Sequence, residues 1–167
     1  LKKNLTLTGM MGVGKSTIGK TLSNRLLMRF SDIDKIIENT LKMSIQEIFK
    51  NKGELFFRKL EEKITLQEAK KKNVVISLGG GAFMSSKIRK ATFLNSKSFW
   101  LDLDIKLLEK RLIKSKNRPL LNNKNLGASL NKIYKERKST YATANYRIDC
   151  EKLTINLITN KIIKLYA

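Results

Sequence analysis

Short apolar, β-branched runs alternate along the chain with longer segments in which apolar residues recur every three or four positions. The runs fall at Leu5 to Thr8, around Phe30 to Asp34, at Asn73 to Leu78, at Ser98 to Leu103 and at Tyr146 to Cys150. Between them, Ile18, Leu22 and Leu26 within Thr17 to Met28 keep helical spacing, as do Leu130, Ile133, Tyr134, Arg137 and Tyr141 further on. This alternation predicts an α/β fold with a five-stranded parallel sheet covered by helices on both faces, with ligands at the carboxyl ends of the strands. The 167 residues read as a single domain, 1–167, large enough to bury a core without disulfides or a structural metal.

One connection is longer than a crossover helix requires. It runs from Lys35 to Lys72, an insertion over 35–72. Ser44-Ile45-Gln46-Glu47 reads as a capping box opening a helix with Ile45, Ile48 and Phe49, and Gly53 then breaks that helix. Phe57, Leu60 and Ile64 give the next helix an apolar edge. Such an insertion could simply thicken the core; the residues it carries favour a flap that holds a substrate.

Gly9-Met10-Met11-Gly12-Val13-Gly14-Lys15-Ser16 fits GxxxxGK[ST] in full, with a strand before it and a helical pattern after it. A glycine loop in that position aims backbone N–H groups and the positive end of a helix at one spot, where a phosphate belongs. Lys15 is placed to reach the β and γ phosphates and the Ser16 hydroxyl to ligate Mg²⁺.

Charge and composition narrow the picture. The net charge is +21, from 35 Lys and Arg against 14 Asp and Glu. A basic field attracts polyanions, but lysine is spread over every segment and no basic run alternates with aromatics, so specific nucleic-acid binding is not expected. No apolar run approaches a membrane span, and a cytoplasmic protein is expected. There is no histidine, which leaves acid and base work to carboxylates. The single cysteine, Cys150, reads as a buried inert thiol.

Asp32 and Asp34 flank Ile33, and in an extended chain residues two apart share a face. One carboxylate could hold Mg²⁺ through water while the other meets an acceptor hydroxyl, the alternative being a solvated helix N-terminus. Gly79-Gly80-Gly81 follows the apolar run Val74 to Leu78 and exceeds what a turn needs, so a ligand can approach its backbone. Arg58 lies on the insertion with Glu61 and Glu62 three and four residues on, close enough to steer its guanidinium. Arg137 sits in an apolar stripe and either points inward or snorkels; with Arg58 it would suit a small carboxylic acid. Pro119 holds Arg118 extended within a polar segment between two helices, as a lid over about 113–126 would require to bring charge to a transferring phosphoryl group. Arg111, seven residues earlier, could lay its plane against an adenine.

Taken in order and spacing, the chain resembles the shikimate kinases over nearly its whole length. The GMMGVGKS loop, Phe30-Ser31-Asp32-Ile33-Asp34, Phe56-Phe57-Arg58-Lys59-Leu60-Glu61, Leu78-Gly79-Gly80-Gly81-Ala82, Arg118-Pro119-Leu120-Leu121 and Glu136-Arg137 carry the likeness. The resemblance implies a P-loop fold like that of nucleoside-monophosphate kinases, and MgATP-dependent phosphorylation of the shikimate 3-hydroxyl on the way to chorismate and the aromatic amino acids. It implies that Asp34 acts as base and contacts the acceptor hydroxyls. Gly12, Val13, Gly14, Lys15, Ser16 and Thr17 would cradle ATP, with Mg²⁺ on Ser16 and, through water, on Asp32. Arg58 and Arg137 would clamp the carboxylate, Gly79, Gly80 and Gly81 would line the pocket, and Phe49 and Phe57 would wall the ring. Arg111 would stack on adenine, and Arg118, with Lys15 and Asp34, would complete the catalytic set. A monomer is expected. The chain departs from the family pattern at Ile33, where threonine is usual, and at Tyr141-Ala142-Thr143-Ala144-Asn145, where an acidic pair is usual. Another small P-loop kinase, acting on gluconate or a nucleoside monophosphate, is the nearest rival, and a basic nucleic-acid-dependent NTPase the more distant one.

Overall fold

Strands β1 (Asn4–Thr8), β2 (Arg29–Asp32), β3 (Val74–Ser77), β4 (Ser96–Asp102) and β5 (Tyr146–Asp149) pair in parallel in the order β2-β3-β1-β4-β5. The structure, a computed structural model, describes residues 3–114 and 125–167. Every residue of β1 and β3 is buried, as expected of inner strands covered on both faces, whereas the edge strands β2 and β5 each expose part of their length. Leu5, Leu7, Val75, Ile76, Phe99 and Leu101 form the middle of the core.

Helices α1 (Lys15–Leu26), α2 (Ile33–Leu41), α3 (Ile45–Ala69), α4 (Ser86–Asn95), α5 (Ile105–Ile113), α6 (Leu126–Tyr141) and α7 (Ile155–Tyr166) surround the sheet, with a short 3₁₀ turn at Ala82–Met84. The Ser44–Glu47 capping box forms as read, and Gly53, at φ 80° and ψ 167°, interrupts α3. Since β1 lies between β3 and β4, the chain leaves it toward one side of the sheet and later returns on the other. The crevice at this switch point is where the glycine loop after β1 and the triple glycine after β3 emerge.

The reading of Asp32 and Asp34 as two residues on one strand face is corrected. β2 stops at Asp32, and Ile33 begins α2. The Asp32 side chain accepts from the Lys35 N–H at 3.3 Å, and Ile33 and Ile37, four apart, are both fully buried. The apolar period therefore changes from strand to helix at the pair itself. Burial of Ile33 also explains the first departure, because an aliphatic side chain fills the core where a hydroxyl would need a partner. At the second departure, Asn145 Oδ1 accepts from the Ser98 N–H at 2.8 Å and from its hydroxyl at 2.9 Å, tying the α6–β5 connection to β4.

No helix among the described residues is long and apolar enough to cross a membrane. Cys150 is buried, and its surroundings push the thiol up to about 12, first through burial and then through Asp149. It is an inert core thiol, as expected.

Candidate active site

The loop between β1 and α1 turns on Gly9, Gly12 and Gly14, whose φ values of 138°, 79° and 102° lie where residues with a Cβ rarely go. It wraps the first turn of α1, whose N-cap, Gly14, has no side chain to satisfy the first N–H groups. These orphan donors and the positive end of the helix are left for an anion. Lys15 is buried and its Nζ donates to Gly9 O at 2.9 Å and Met10 O at 2.8 Å, so the ammonium stands over the loop. Val13 and Thr17 flank this turn, and Arg111, on α5, donates from Nη1 to Val13 O at 3.2 Å. The arginine thus lies over the glycine loop, next to where a bound nucleotide would rest.

Ser16 Oγ donates to Asp32 Oδ2 at 2.5 Å. A hydroxyl and a carboxylate oxygen thereby meet beside the phosphate cradle, from the start of α1 and the end of β2. Among the described residues no group of three or more acidic, cysteine or histidine side chains forms a metal cage. Two oxygen ligands at a phosphate site are nevertheless the donor set Mg²⁺ takes, since that ion keeps several waters and borrows the rest of its shell from phosphates. The residues present fit both ATP and Mg²⁺.

A second cleft opens beside this loop. Asp34, Phe49, Phe57, Arg58, Glu61, Arg137, Met11 and the three glycines line it. The absence of side chains at the glycines creates it. A Cβ on Gly79 would stand 2.5 Å from Glu61 Oε1 and 2.9 Å from Asp34 Oδ1. One on Gly80 would stand 3.6 Å from Arg137 Nη1, and one on Gly81 2.6 to 2.7 Å from the Arg58 guanidinium. Two arginines and two carboxylates therefore converge on one stretch of bare backbone. Phe49 and Phe57 close an apolar wall, ring centroids 4.7 Å apart.

The charges in this cleft are held in tension. Arg58 Nη1 pairs with Glu61 Oε2 at 2.7 Å, while its Nε reaches Glu54 at 3.3 Å. Burial pushes the Glu61 carboxyl above its ordinary value, against the pull of Arg58, and the Asp34 charge adds to the rise. Burial lowers the Arg58 pKa, but Glu61 and Glu54 outweigh it and raise the guanidinium overall. Two buried atoms, Arg137 Nη1 and Glu61 Oε1, have no hydrogen-bond partner within the protein among the described residues. A cleft with an orphaned cationic donor and an orphaned anionic acceptor is complementary to a small acid that also carries hydroxyls.

Arg137 thus points inward rather than snorkelling; it lines the cleft with Asp34, Phe49, Phe57, Arg58 and the three glycines, while Lys15, Ser16, Asp32 and Arg111 gather at the phosphate loop. Arg118 and Pro119, and most of the segment 113–126, lie outside the described residues. Three participants carried no functional reading in the sequence. Met11 lines the cleft from the glycine loop, Ile45 contributes from the start of α3, and the Tyr141 hydroxyl donates to Gly80 O. For Tyr141 a signal existed, since it lies one helical turn beyond Arg137 on the same apolar stripe.

The family model described as shikimate kinase matches residues 11–167. A shikimate kinase of Bartonella henselae is 39% identical over 160 residues, 96% of this chain and 76% of that protein. One from a Sulfurihydrogenibium species is 38% identical, covering 96% of each chain. Among solved structures, shikimate kinase from Acinetobacter baumannii in complex with shikimate superposes with a TM-score of 0.94 at 31% identity, covering 98% of this chain and 92% of that one. A gluconokinase from Sinorhizobium meliloti, at 12% identity and a TM-score of 0.63 over 99% and 91% of the two chains, shares the fold.

Proposed function

The chain belongs to the shikimate kinase family, and from this premise we infer how its residues divide the work of moving the γ-phosphoryl group of ATP onto the 3-hydroxyl of shikimate. It is a kinase of the route to chorismate and the aromatic amino acids, with ATP and Mg²⁺ as its cofactors. Bound at the glycine loop, MgATP supplies the phosphoryl group and the metal charge that offsets the negative charge building on the transferred group.

The protein's own part is positioning and proton transfer. Gly12, Val13, Gly14 and Thr17 contribute the cradle, Lys15 the cation over it, and Arg111 a plane for the base. Ser16, and Asp32 through water, would hold the ion. Arg58 and Arg137 take the acceptor carboxylate, a pairing for which their planar forks are better suited than lysine. Gly79, Gly80 and Gly81 offer backbone against it, and Phe49 and Phe57 hold the carbon ring. Asp34 orients the acceptor hydroxyl and accepts its proton as the oxygen attacks. Arg118 is assigned the role of bringing positive charge to the phosphates, residues 35–72 that of an acceptor-holding insertion, and about 113–126 that of a lid.

One observation carries this division: Arg58, Arg137 and Asp34, from three different helices, face three consecutive glycines next to a phosphate cradle. A monomeric enzyme acting in the cytoplasm completes this reading. No recognition element for nucleic acid accompanies the diffuse lysine charge. Release of ADP, measured with shikimate, gluconate and a nucleoside monophosphate as acceptors, tests the assignment. Shikimate should be strongly preferred; comparable turnover with either of the others would sink it.

A further inference from the structure

Tyr141 ends α6 one turn beyond Arg137 and is fully buried. Its hydroxyl donates to Gly80 O at 2.5 Å and lies 3.9 Å from Met10 Sδ in the phosphate loop. Burial raises the pKa of this hydroxyl, and the Arg137 guanidinium beside it pulls the other way. The ring stacks on Trp100, centroids 6.0 Å apart and planes 27° from parallel. The phenol is therefore clamped by its ring, while its single polar atom holds the carbonyl of Gly80, the residue whose Cβ position lies 3.6 Å from Arg137 Nη1.

The consequence follows from peptide geometry. The Gly80 carbonyl and the Gly81 N–H belong to one planar trans unit and point in opposite directions. Glycines flanking a peptide leave its rotation nearly unrestrained, because no Cβ limits φ or ψ. The turn closed by the Ala82 N–H on Gly79 O at 3.1 Å makes this its central peptide, which with glycine on both sides can face either way, so a further contact selects the direction. By drawing the carbonyl toward the end of α6, the Tyr141 hydroxyl turns the Gly81 N–H the other way and gives Arg137 a polar neighbour on its buried side.

We propose that Tyr141 is a positioning residue for the acceptor site, its hydroxyl setting the orientation of the Gly80–Gly81 peptide and of the Arg137 guanidinium together. The proposal rests on the assignment of this cleft to the acceptor. It gives Tyr141 no contact with the acceptor and no part in proton transfer.

Tyr141→Phe keeps the ring and its stack on Trp100 and removes only the hydroxyl. Tyr134→Phe, two turns earlier on α6, is the control: it removes a hydroxyl that donates to Asp102, away from the cleft. In Tyr141→Phe the KM for shikimate should rise about tenfold, as for loss of one well-placed hydrogen bond, with the KM for ATP changed by less than about twofold. Amide exchange of the unliganded enzyme, followed by mass spectrometry, should be faster by about tenfold in peptides spanning residues 79–82, with β4 unchanged. Tyr134→Phe should show neither effect. An unchanged KM for shikimate, equal rises for both substrates, unaltered exchange at 79–82, or the same pattern in Tyr134→Phe would each overturn the proposal. Should the native enzyme fail to phosphorylate shikimate, the acceptor assignment falls, and exchange at 79–82 still decides whether Tyr141 holds this peptide.

Discussion

Arg58 and Glu61 stand three residues apart on α3 and meet at 2.7 Å, yet the carboxylate is buried while the guanidinium keeps about a quarter of its surface exposed. The pair is an orienting device rather than a stabilising one, because burial of the acid outweighs the attraction of its partner. A carboxyl whose pKa is raised on folding binds its proton more tightly in the native state. Native stability therefore falls as pH rises from the ordinary value of 4.5 through the folded value.

Glu61→Gln removes that slope. Melting temperatures of the variant and the native enzyme should be similar near pH 4, and the variant should gain relative to the native enzyme as pH is raised to 7. The KM for shikimate should rise several-fold at the same time, since Arg58 loses the group that aims it. A variant that becomes relatively less stable toward neutral pH would show that the ion pair outweighs its burial.

Arg137→Lys keeps the charge and loses the planar fork. A charge-assisted hydrogen bond is worth roughly 1.5 to 3 kcal/mol, so the KM for shikimate should rise by about 10- to 150-fold while that for ATP stays nearly constant. Steady-state kinetics with each substrate varied in turn checks this, and an unchanged KM for shikimate would mean that Arg137 does not meet the acceptor.

Asp34→Asn should preserve folding and ATP binding and lower kcat by about 10² to 10⁴, the range for a positioned general base. Because proton removal is late in a loose phosphoryl transfer, the loss should sit toward the lower end. Asp32→Asn should behave differently, raising the Mg²⁺ concentration needed for half-maximal rate as well as lowering turnover. Near-native kcat in Asp34→Asn at saturating substrates would move the base elsewhere.

Gly81→Ala places a methyl group within 2.7 Å of the Arg58 guanidinium, the far end of a flexible side chain. The arginine can swing away only by breaking its 2.7 Å pair with the buried Glu61 carboxyl. Melting should fall by several degrees while the KM for shikimate rises at least tenfold, and an unaltered KM would contradict the geometry.

The phosphate loop was legible because its chemistry is local: glycines at fixed offsets, a lysine and a serine between one strand and one helix need no distant partner. The α/β alternation was legible for the same reason, since apolar period depends only on neighbours along the chain. Arg137 marks the limit. Its stripe placed it on an apolar face, but whether it snorkelled or pointed inward depended on Gly80, 57 residues earlier, leaving room for it. Asp32 and Asp34 were found as a pair yet given the wrong shared face, because β2 gives way to α2 between them; one turns to Ser16 and the other to Gly79. Sequence by itself determined the inventory of the site, its order and the likeness to a family. The tertiary structure decided which groups meet, since parallel pairing of β1 with β3 brings two glycine loops side by side, and only their proximity turns Arg58, Glu61, Arg137 and Tyr141 into one arrangement.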